Sequence, residues 1–132
     1  MADAYVPRVL ILLHSAKDVR LTAEVVASEG AAAVTCQSVG EVSREISVGA
    51  DALIVSEEML EEDSAVYLQQ ALAAQPEWSS VPVLLMMADG PTSPLVTAIK
   101  EHAATVQVLT DPVTLATFAS AIRSALGGRR RQ

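Results

Sequence analysis

The strongest constraint on the fold is a set of three short stretches that are apolar on both faces of a strand. They cover residues 9–13, residues 50–55 apart from Asp51, and residues 81–87. Strands of a parallel sheet that is covered by helices on both faces read as continuous apolar runs, without alternation. Helix-like sequence separates the runs, so we interpret them as the central strands of a parallel sheet.

Two shorter strands, over residues 33–36 and 106–109, and five helix-like segments complete the pattern. The first helix is expected around residues 18–29, with Gly30 as its stop, and the second follows a Ser38-x-x-Glu41 capping box and ends at Gly49. A third stops near Pro76, a fourth starts at the Ser93-Pro94 pair, and a fifth is capped by Thr114. Helical spacing predicts that the inner faces carry Leu21, Val25, Val42, Ile46, Val66, Leu72, Leu95, Val96, Ile99, Leu115, Phe118, Ile122 and Leu126.

Strict alternation of strand and helix determines the expected architecture. It implies right-handed crossovers and a three-layer α/β domain, (βα)5, with helices on both faces of a doubly wound parallel sheet. At 132 residues, one flavodoxin-like domain with strand order 2-1-3-4-5 is predicted. Its boundaries are expected at residues 6–126, with residues 127–132 as a basic tail or the start of a linker to a following domain.

Charge and cysteine content exclude several classes of function. The net charge is −7, and residues 1–128 hold six basic against sixteen acidic side chains, which disfavours nucleic-acid and anionic-membrane partners. A single cysteine, Cys36, excludes an internal disulfide and a Cys-rich zinc site. No targeting segment or membrane-length apolar run is evident, so a cytoplasmic protein is expected.

In an open parallel sheet the ligand crevice lies at the carboxyl ends of the strands. The residues at those ends are Leu13 with His14, then Ser56, then Met87 with Ala88, and finally Asp111. This set is poorly suited to catalysis, because it offers one carboxylate, one imidazole and one hydroxyl.

The segments "PRVLILLHS", "GADALIVSEEML", "VPVLLMMA" and "VLTDPVTLATFASAIRSAL" resemble strands one, three, four and five and the last helix of response-regulator receiver (CheY-like) domains. The resemblance covers about residues 6–126. It implies that most of the functional positions of a receiver are replaced here. The metal-binding acidic pair falls on Leu13 and His14, the phosphorylated Asp on Ser56, the Thr or Ser on Met87, the Lys on Asp111 and the switch aromatic on Val108. Two positions are retained, the small residue as Ala88 and the Pro as Pro112.

These replacements disable phosphoryl transfer on chemical grounds. The reaction needs a nucleophilic carboxylate, a divalent cation on oxygen ligands and a cation that neutralises the phosphoryl charge. Leu13 offers no ligand, His14 suits Mg²⁺ poorly, and Asp111 would repel the phosphoryl group. We therefore expect a non-catalytic pseudo-receiver without metal or cofactor, which acts by protein–protein interaction in a two-component (histidine kinase) phosphorelay system.

The resemblance extends to the N-terminal receiver-like segments of some bacterial sensor histidine kinases. It implies a kinase or another signalling domain as partner, in the same polypeptide or outside it, and allows a homodimer. Receivers commonly pair through the face of the fourth helix, fifth strand and fifth helix, which here includes Lys100, Glu101 and Arg123.

Other interpretations stay open at this point. A nucleotide or flavin could bind near His14, Ser56 and Asp111, although the first strand–helix turn has no Gly-rich phosphate loop. An unconventional receiver could be phosphorylated at Ser56 or Glu57, and a hydrolase could use Ser56 with His14 as its base. Finally, Glu57 or Glu58 could supply a permanent negative charge in the pocket, against the simpler interpretation of a solvated acidic face before a helix.

Overall fold

The computed structural model describes residues 6–59, 68, 70, 81–87, 106–110 and 114–130. Within these residues the chain forms a parallel sheet of five strands, in the order β2-β1-β3-β4-β5. The strands are β1 (Arg8–Leu12), β2 (Ala32–Thr35), β3 (Ala52–Ser56), β4 (Val83–Met87) and β5 (Val106–Thr110). The predicted strand order is confirmed, and each strand boundary lies within two residues of its expected place.

Three helices are described: α1 (Ala16–Ser28), α2 (Val39–Val48) and α3 (Leu115–Arg130). Each helix has an N-cap side chain: the hydroxyl oxygens of Ser15, Ser38 and Thr114 each accept a hydrogen bond from the backbone N–H three residues later. Ser38 and Thr114 are the predicted caps. The glycines predicted as stops, Gly30 and Gly49, have φ values of +82° and +131°, which L side chains rarely adopt. The ends of the helices are thus determined by capping hydrogen bonds and by the backbone conformation of glycine.

The helices cover both faces of the sheet. Alternate residues of the strands pack with α2 on one face, in a cluster that contains Leu10, Leu53 and Ile46. The opposite face packs with α1 and α3, in a cluster that contains Ile54 and Phe118. The prediction of a three-layer α/β domain is therefore confirmed.

The inner face of α1 differs from the prediction. Leu21 is 42% exposed, while Thr22 and Val26 are buried and Val19 packs against the cluster. Positions 19, 22, 23 and 26 form the i, i+3, i+4, i+7 stripe, and Leu21 lies about 100° away from it around the helix. The spacing of four between Leu21 and Val25 was correct for a helix, and Val25 packs against the cluster as predicted, but Leu21 lies on the exposed side.

The other predicted inner faces divide into two groups. Val42, Ile46, Phe118, Ile122 and Leu126 are buried as expected. The predicted third and fourth helices lie outside the described residues, except that Leu68 and Gln70 are helical and Leu68 packs in the α2 cluster. In the part of the chain that the structure describes, no helix is both long and apolar enough to cross a membrane.

Charged groups gather at the amino end of the sheet. The backbone N–H of Arg8 donates to Asp51 Oδ2 at 2.9 Å, and Asp51 N–H donates to the Arg8 carbonyl at 2.8 Å. The Arg8 guanidinium donates to Glu45 and to the carbonyl of Gly49, at the end of α2. This network ties β1, β3 and α2 together where the strands begin.

Candidate functional site

Leu13 and Ser56 are neighbours at the carboxyl end of the sheet. β1 and β3 are paired with Leu12 opposite Val55, so the next residue of each strand lies at the same level. Leu13 packs in the cluster with Val9 and Phe118 and is 9% exposed. Because side chains alternate along a strand, Ser56 continues the row of Ala52 and Ile54 on that same face.

His14 lies outside the core that holds Leu13. It is exposed, and Ser15, which follows directly, caps α1. An exposed imidazole beside a buried leucine makes a poor pair of metal ligands, since neither supplies the oxygen atoms that Mg²⁺ prefers. Among the described residues, no group of three or more His, Cys, Asp and Glu side chains is arranged to hold a metal ion.

The hydroxyl of Ser56 is sealed from solvent. Its Oγ is buried and has no hydrogen-bond partner among the described residues, and the residue as a whole is 7% exposed. A buried hydroxyl without a partner loses about 1–3 kcal/mol relative to its hydrated state. Ser56 ends β3, and the 3₁₀ turn Glu57–Met59 follows at once, with Glu57 half-buried.

The remaining predicted positions are only partly within the described residues. Ser56 pairs with Met86, and Met87 pairs with Thr110, so β4 and β5 reach the same edge as β1 and β3. Val108 lies in β5 opposite Leu85. Five predicted positions lie outside the described residues: Ala88, Lys100, Glu101, Asp111 and Pro112.

Cys36 follows β2 at the carboxyl edge and is buried. Burial raises the pKa of its thiol to about 11, and the carboxylates of Glu41 and Glu45 add to the rise. A thiol with so high a pKa is almost wholly protonated near neutral pH, and the thiolate is the reactive form. Cys36 is therefore a packing residue in this structure.

Arg123, predicted as an interface residue, is engaged within the molecule. Its Nε and Nη2 donate to the two carboxylate oxygens of Glu29, both at 2.9 Å. Glu29 is the C-cap residue of α1, so the pair joins α1 to α3. The bond from Arg123 holds the pKa of the Glu29 carboxyl below its usual value of 4.5.

Comparison with solved structures identifies the architecture. No protein-family profile and no curated protein sequence matches the chain. A receiver domain from Clostridium thermocellum superposes with a TM-score of 0.75 at 19% identity, over 96% of this chain and 98% of that one. The signal receiver domain of an HD domain-containing protein from Pseudomonas fluorescens Pf-5 gives a TM-score of 0.77 at 14% identity, over 99% and 95%.

The chain has the receiver-domain fold. The NtrX protein of Brucella abortus, solved in complex with ADP, also matches, with a TM-score of 0.74 and 17% identity over 96% of this chain. Here the chain spans only 28% of the larger protein. TM-scores of this size establish a common architecture, which agrees with the strand order and the two helical layers described above.

Sequence reasoning missed two charged residues. Asp51 was set aside as an exception within an apolar run, yet it is 5% exposed and hydrogen-bonded to Arg8. Glu29 carried no expectation beyond its place at the end of a helix. Asp51 could have been identified as a lone carboxylate at the start of a buried strand, because such a group needs a hydrogen-bond donor.

Proposed function

We propose that residues 6–126 form a pseudo-receiver, a receiver-like signalling unit that cannot accept phosphate by the Asp/Mg²⁺ mechanism and acts by protein–protein interaction. One observation carries the proposal: Leu13 is packed in the core beside Ser56, at the positions that the resemblance assigns to a metal ligand and the phosphoacceptor. The unit would serve in a two-component, histidine-kinase system and would not itself be an enzyme.

The described residues of the carboxyl edge offer no site for a cation. Leu13 has no donor atom and is held by its apolar neighbours, so it cannot turn aside to admit a water ligand without opening the core. His14 is exposed and offers nitrogen, which Mg²⁺ rarely accepts. Without a cation, the charge that develops on a transferring phosphoryl group has no stabilising partner.

The hydroxyl at the acceptor position is equally unsuited to be a nucleophile. A serine needs an adjacent base and room for an in-line donor. The buried Ser56 Oγ makes no hydrogen bond to any described residue, and His14 lies on the exposed surface. These two facts support the pseudo-receiver over both a receiver phosphorylated at Ser56 and a Ser–His hydrolase.

The partner we propose is a kinase or another signalling domain, in the same polypeptide or outside it. α3 continues without a break through Gly127 as far as Arg130. Residues 127–132 would be a basic tail or the start of a linker to a following domain, and the first four of them extend this helix. The docking face would comprise β5, α3 and the predicted fourth helix. On that face a groove of about 420 Å³ lies between Gln107 of β5 and Thr117, Ser120 and Ser124 of α3.

Phosphorylation is tested directly by incubating the protein with acetyl phosphate and Mg²⁺ and measuring its intact mass. We expect the mass to stay unchanged, because the described residues offer neither a cation site nor a free nucleophile. The control is an active receiver domain treated in the same tube, which must gain a phosphoryl group. A phosphoryl adduct mapped to Ser56 or Glu57 would refute the proposal.

The docking role is tested by calorimetric titration of the protein with the core of its cognate histidine kinase. We expect the same affinity with and without ATP, since no phosphoryl group is transferred. Thr117→Glu places a charge in the groove and should weaken binding at least tenfold. The absence of any binding, or binding that requires ATP, contradicts this part of the proposal.

A further inference from the structure

The outer edge of β2 is an unpaired strand edge. β2 lies at one end of the sheet and pairs only with β1 among the described strands. The N–H groups of Ala32 and Cys36 both donate to β1, to the carbonyls of Pro7 and Ile11. Since backbone groups alternate along a strand, Ala33 and Thr35 direct their N–H and C=O groups away from the sheet. Four backbone groups are thus available to another strand.

This edge lacks the usual protection against strand pairing. Natural edge strands carry charges, prolines or bulges that prevent association. Residues 30–40 contain no charged side chain and no proline, and they are flanked by Glu29 and Glu41. Across the strand itself Ala32 and Thr35 are exposed, and Ala33 and Val34 are half-buried. A partner strand would therefore meet only small, uncharged side chains.

Charge favours a second copy of the same chain as the occupant. Two molecules of net charge −7 repel each other wherever acidic surfaces meet. An uncharged segment of eleven residues is a place where two copies can approach without opposing like charges. A basic partner, in contrast, would find no carboxylate on this strand to recognise.

We propose that two copies of this chain pair through β2 in antiparallel register, around a two-fold axis at Val34. Ala33 of each copy then faces Thr35 of the other, and the four outward backbone groups of each copy form four N–H···O bonds between the two chains. Val34 faces its own counterpart as a non-hydrogen-bonded pair. Its side chain packs at the margin of the α2 cluster, so pairing joins the two clusters.

This register makes the pairing self-consistent. Outward residues must face outward residues for hydrogen bonds to form in an antiparallel ladder, and positions 33 and 35 satisfy that condition in both copies at once. The dimer would be a continuous sheet of ten strands. The opposite edge, with β5 and α3, stays free for the protein partner proposed above, so the two proposals can fail independently.

Sedimentation equilibrium of the full chain tests the dimer, at concentrations up to about 0.5 mM because small interfaces are weak. We expect wild type to dimerise and Thr35→Pro to be monomeric, since proline removes an outward N–H while leaving the bonds to β1 intact. Thr35→Ala, which keeps that N–H, should still dimerise. Circular dichroism establishes that each variant is folded.

Thr117→Glu distinguishes this edge from the groove on the opposite side. The substitution leaves α3 capped, because Thr114 and a glutamate three residues later form a capping box. We expect it to dimerise like wild type. A monomeric wild type, or a dimer that Thr117→Glu abolishes and Thr35→Pro does not, would overturn the proposal.

A crosslink tests the register and does not depend on the proline variant being folded. In a Cys36→Ala background, Val34→Cys places two thiols on Cα atoms about 4.5 Å apart across the axis. Thr35→Cys places them about 8 Å apart, beyond the roughly 7 Å that a disulfide can span. Mild oxidation should therefore crosslink the Val34→Cys protein at least tenfold faster. Equal rates, or a faster Thr35→Cys reaction, would contradict the register.

Discussion

The two ends of the parallel sheet differ in the buried residues that the structure describes there: charged and hydrogen-bonded at one end, uncharged at the other. At the amino end a buried carboxylate, Asp51, is hydrogen-bonded to the backbone of Arg8, whose guanidinium binds Glu45 and the end of α2. At the carboxyl end an apolar side chain, Leu13, lies beside an unpartnered hydroxyl, Ser56. The amino end uses charge to hold elements together, whereas the core residues described at the carboxyl end, where open α/β sheets place their chemistry, are uncharged.

The difference shows that a fold can retain its packing while its reactive edge changes. Buried charges persist where each has a donor or acceptor, as Asp51 does. A carboxylate at the level of Leu13 would need a cation or a donor beside it, and Ser56 offers only one weak hydroxyl. Apolar packing is the stable alternative once the cation is absent.

The largest effect is expected from placing a carboxylate at the carboxyl end. Leu13→Asp should lower the free energy of unfolding by about 3–5 kcal/mol at pH 7, because a buried charge is left without a partner. Burial raises the pKa of such a group, so the loss should be smaller at pH 5, where more of it is neutral. Urea unfolding at both pH values measures this, with exposed His14→Asp as the control. A loss below 1 kcal/mol would show that this edge tolerates charge.

The next effect concerns the carboxylate that the amino end already holds. Asp51→Ala should cost about 2 kcal/mol, because the Arg8 N–H loses its acceptor in a partly buried position. Asp51→Asn keeps an acceptor oxygen and should recover about half of that loss. Urea unfolding of the two variants side by side provides the measurement, and equal stabilities would mean that the hydrogen bond contributes nothing.

A smaller effect of opposite sign is expected at Ser56. Ser56→Ala removes a buried hydroxyl that has no partner and should raise the free energy of unfolding by about 1 kcal/mol. The control is Ser28→Ala, where the Oγ donates to the Val25 carbonyl at 2.7 Å on the surface. If Ser56→Ala destabilises the protein more than Ser28→Ala does, the hydroxyl has a partner and the contrast between the two ends is weaker.

The smallest effect belongs to the surface pair between α1 and α3. Because the pKa of Glu29 is below 4.5 in the folded protein, its bond to Arg123 stabilises the fold fully above about pH 5. That contribution is lost as the pH falls through the folded pKa. Arg123→Gln should therefore flatten the pH dependence of stability between about pH 5 and pH 3, as measured by urea unfolding. An unchanged profile would assign the acid dependence to other carboxylates.

Much of the architecture was predictable because it depends on local patterns. The cap residues Ser38 and Thr114 and the stops at Gly30 and Gly49 follow from short-range hydrogen bonding and backbone conformation. The face of α1 was predicted only in part: Val25 packs against the cluster, but Leu21, which has the same helical spacing, is exposed, and Val19 and Val26 were not predicted. Periodicity gives a helix and a stripe, but packing against β1 and β2 selects which stripe is buried.

The candidate site was predictable in outline only. The residues at the carboxyl edge could be named because strand ends in a parallel sheet share one edge, and the register places Leu13 beside Ser56. The hydrogen-bond and ion-pair partners of these residues could not be predicted. That the Ser56 hydroxyl lacks a partner, and that Arg123 is bound to Glu29 at a sequence distance of 94 residues, depends on which surfaces the helices bring together.

By itself the sequence determined the layer order, the caps and the presence of Leu13 and Ser56 at positions where receiver-like chemistry would need carboxylates, because these depend on residue identity and short-range spacing. Only the tertiary structure decided which polar groups are paired. Asp51 is hydrogen-bonded to the backbone of Arg8, whereas among the described residues Ser56 has no partner and the outer edge of β2 is unpaired. Such hydrogen bonds form between atoms of segments that are distant in sequence, and short-range sequence patterns do not predict which of these segments come into contact.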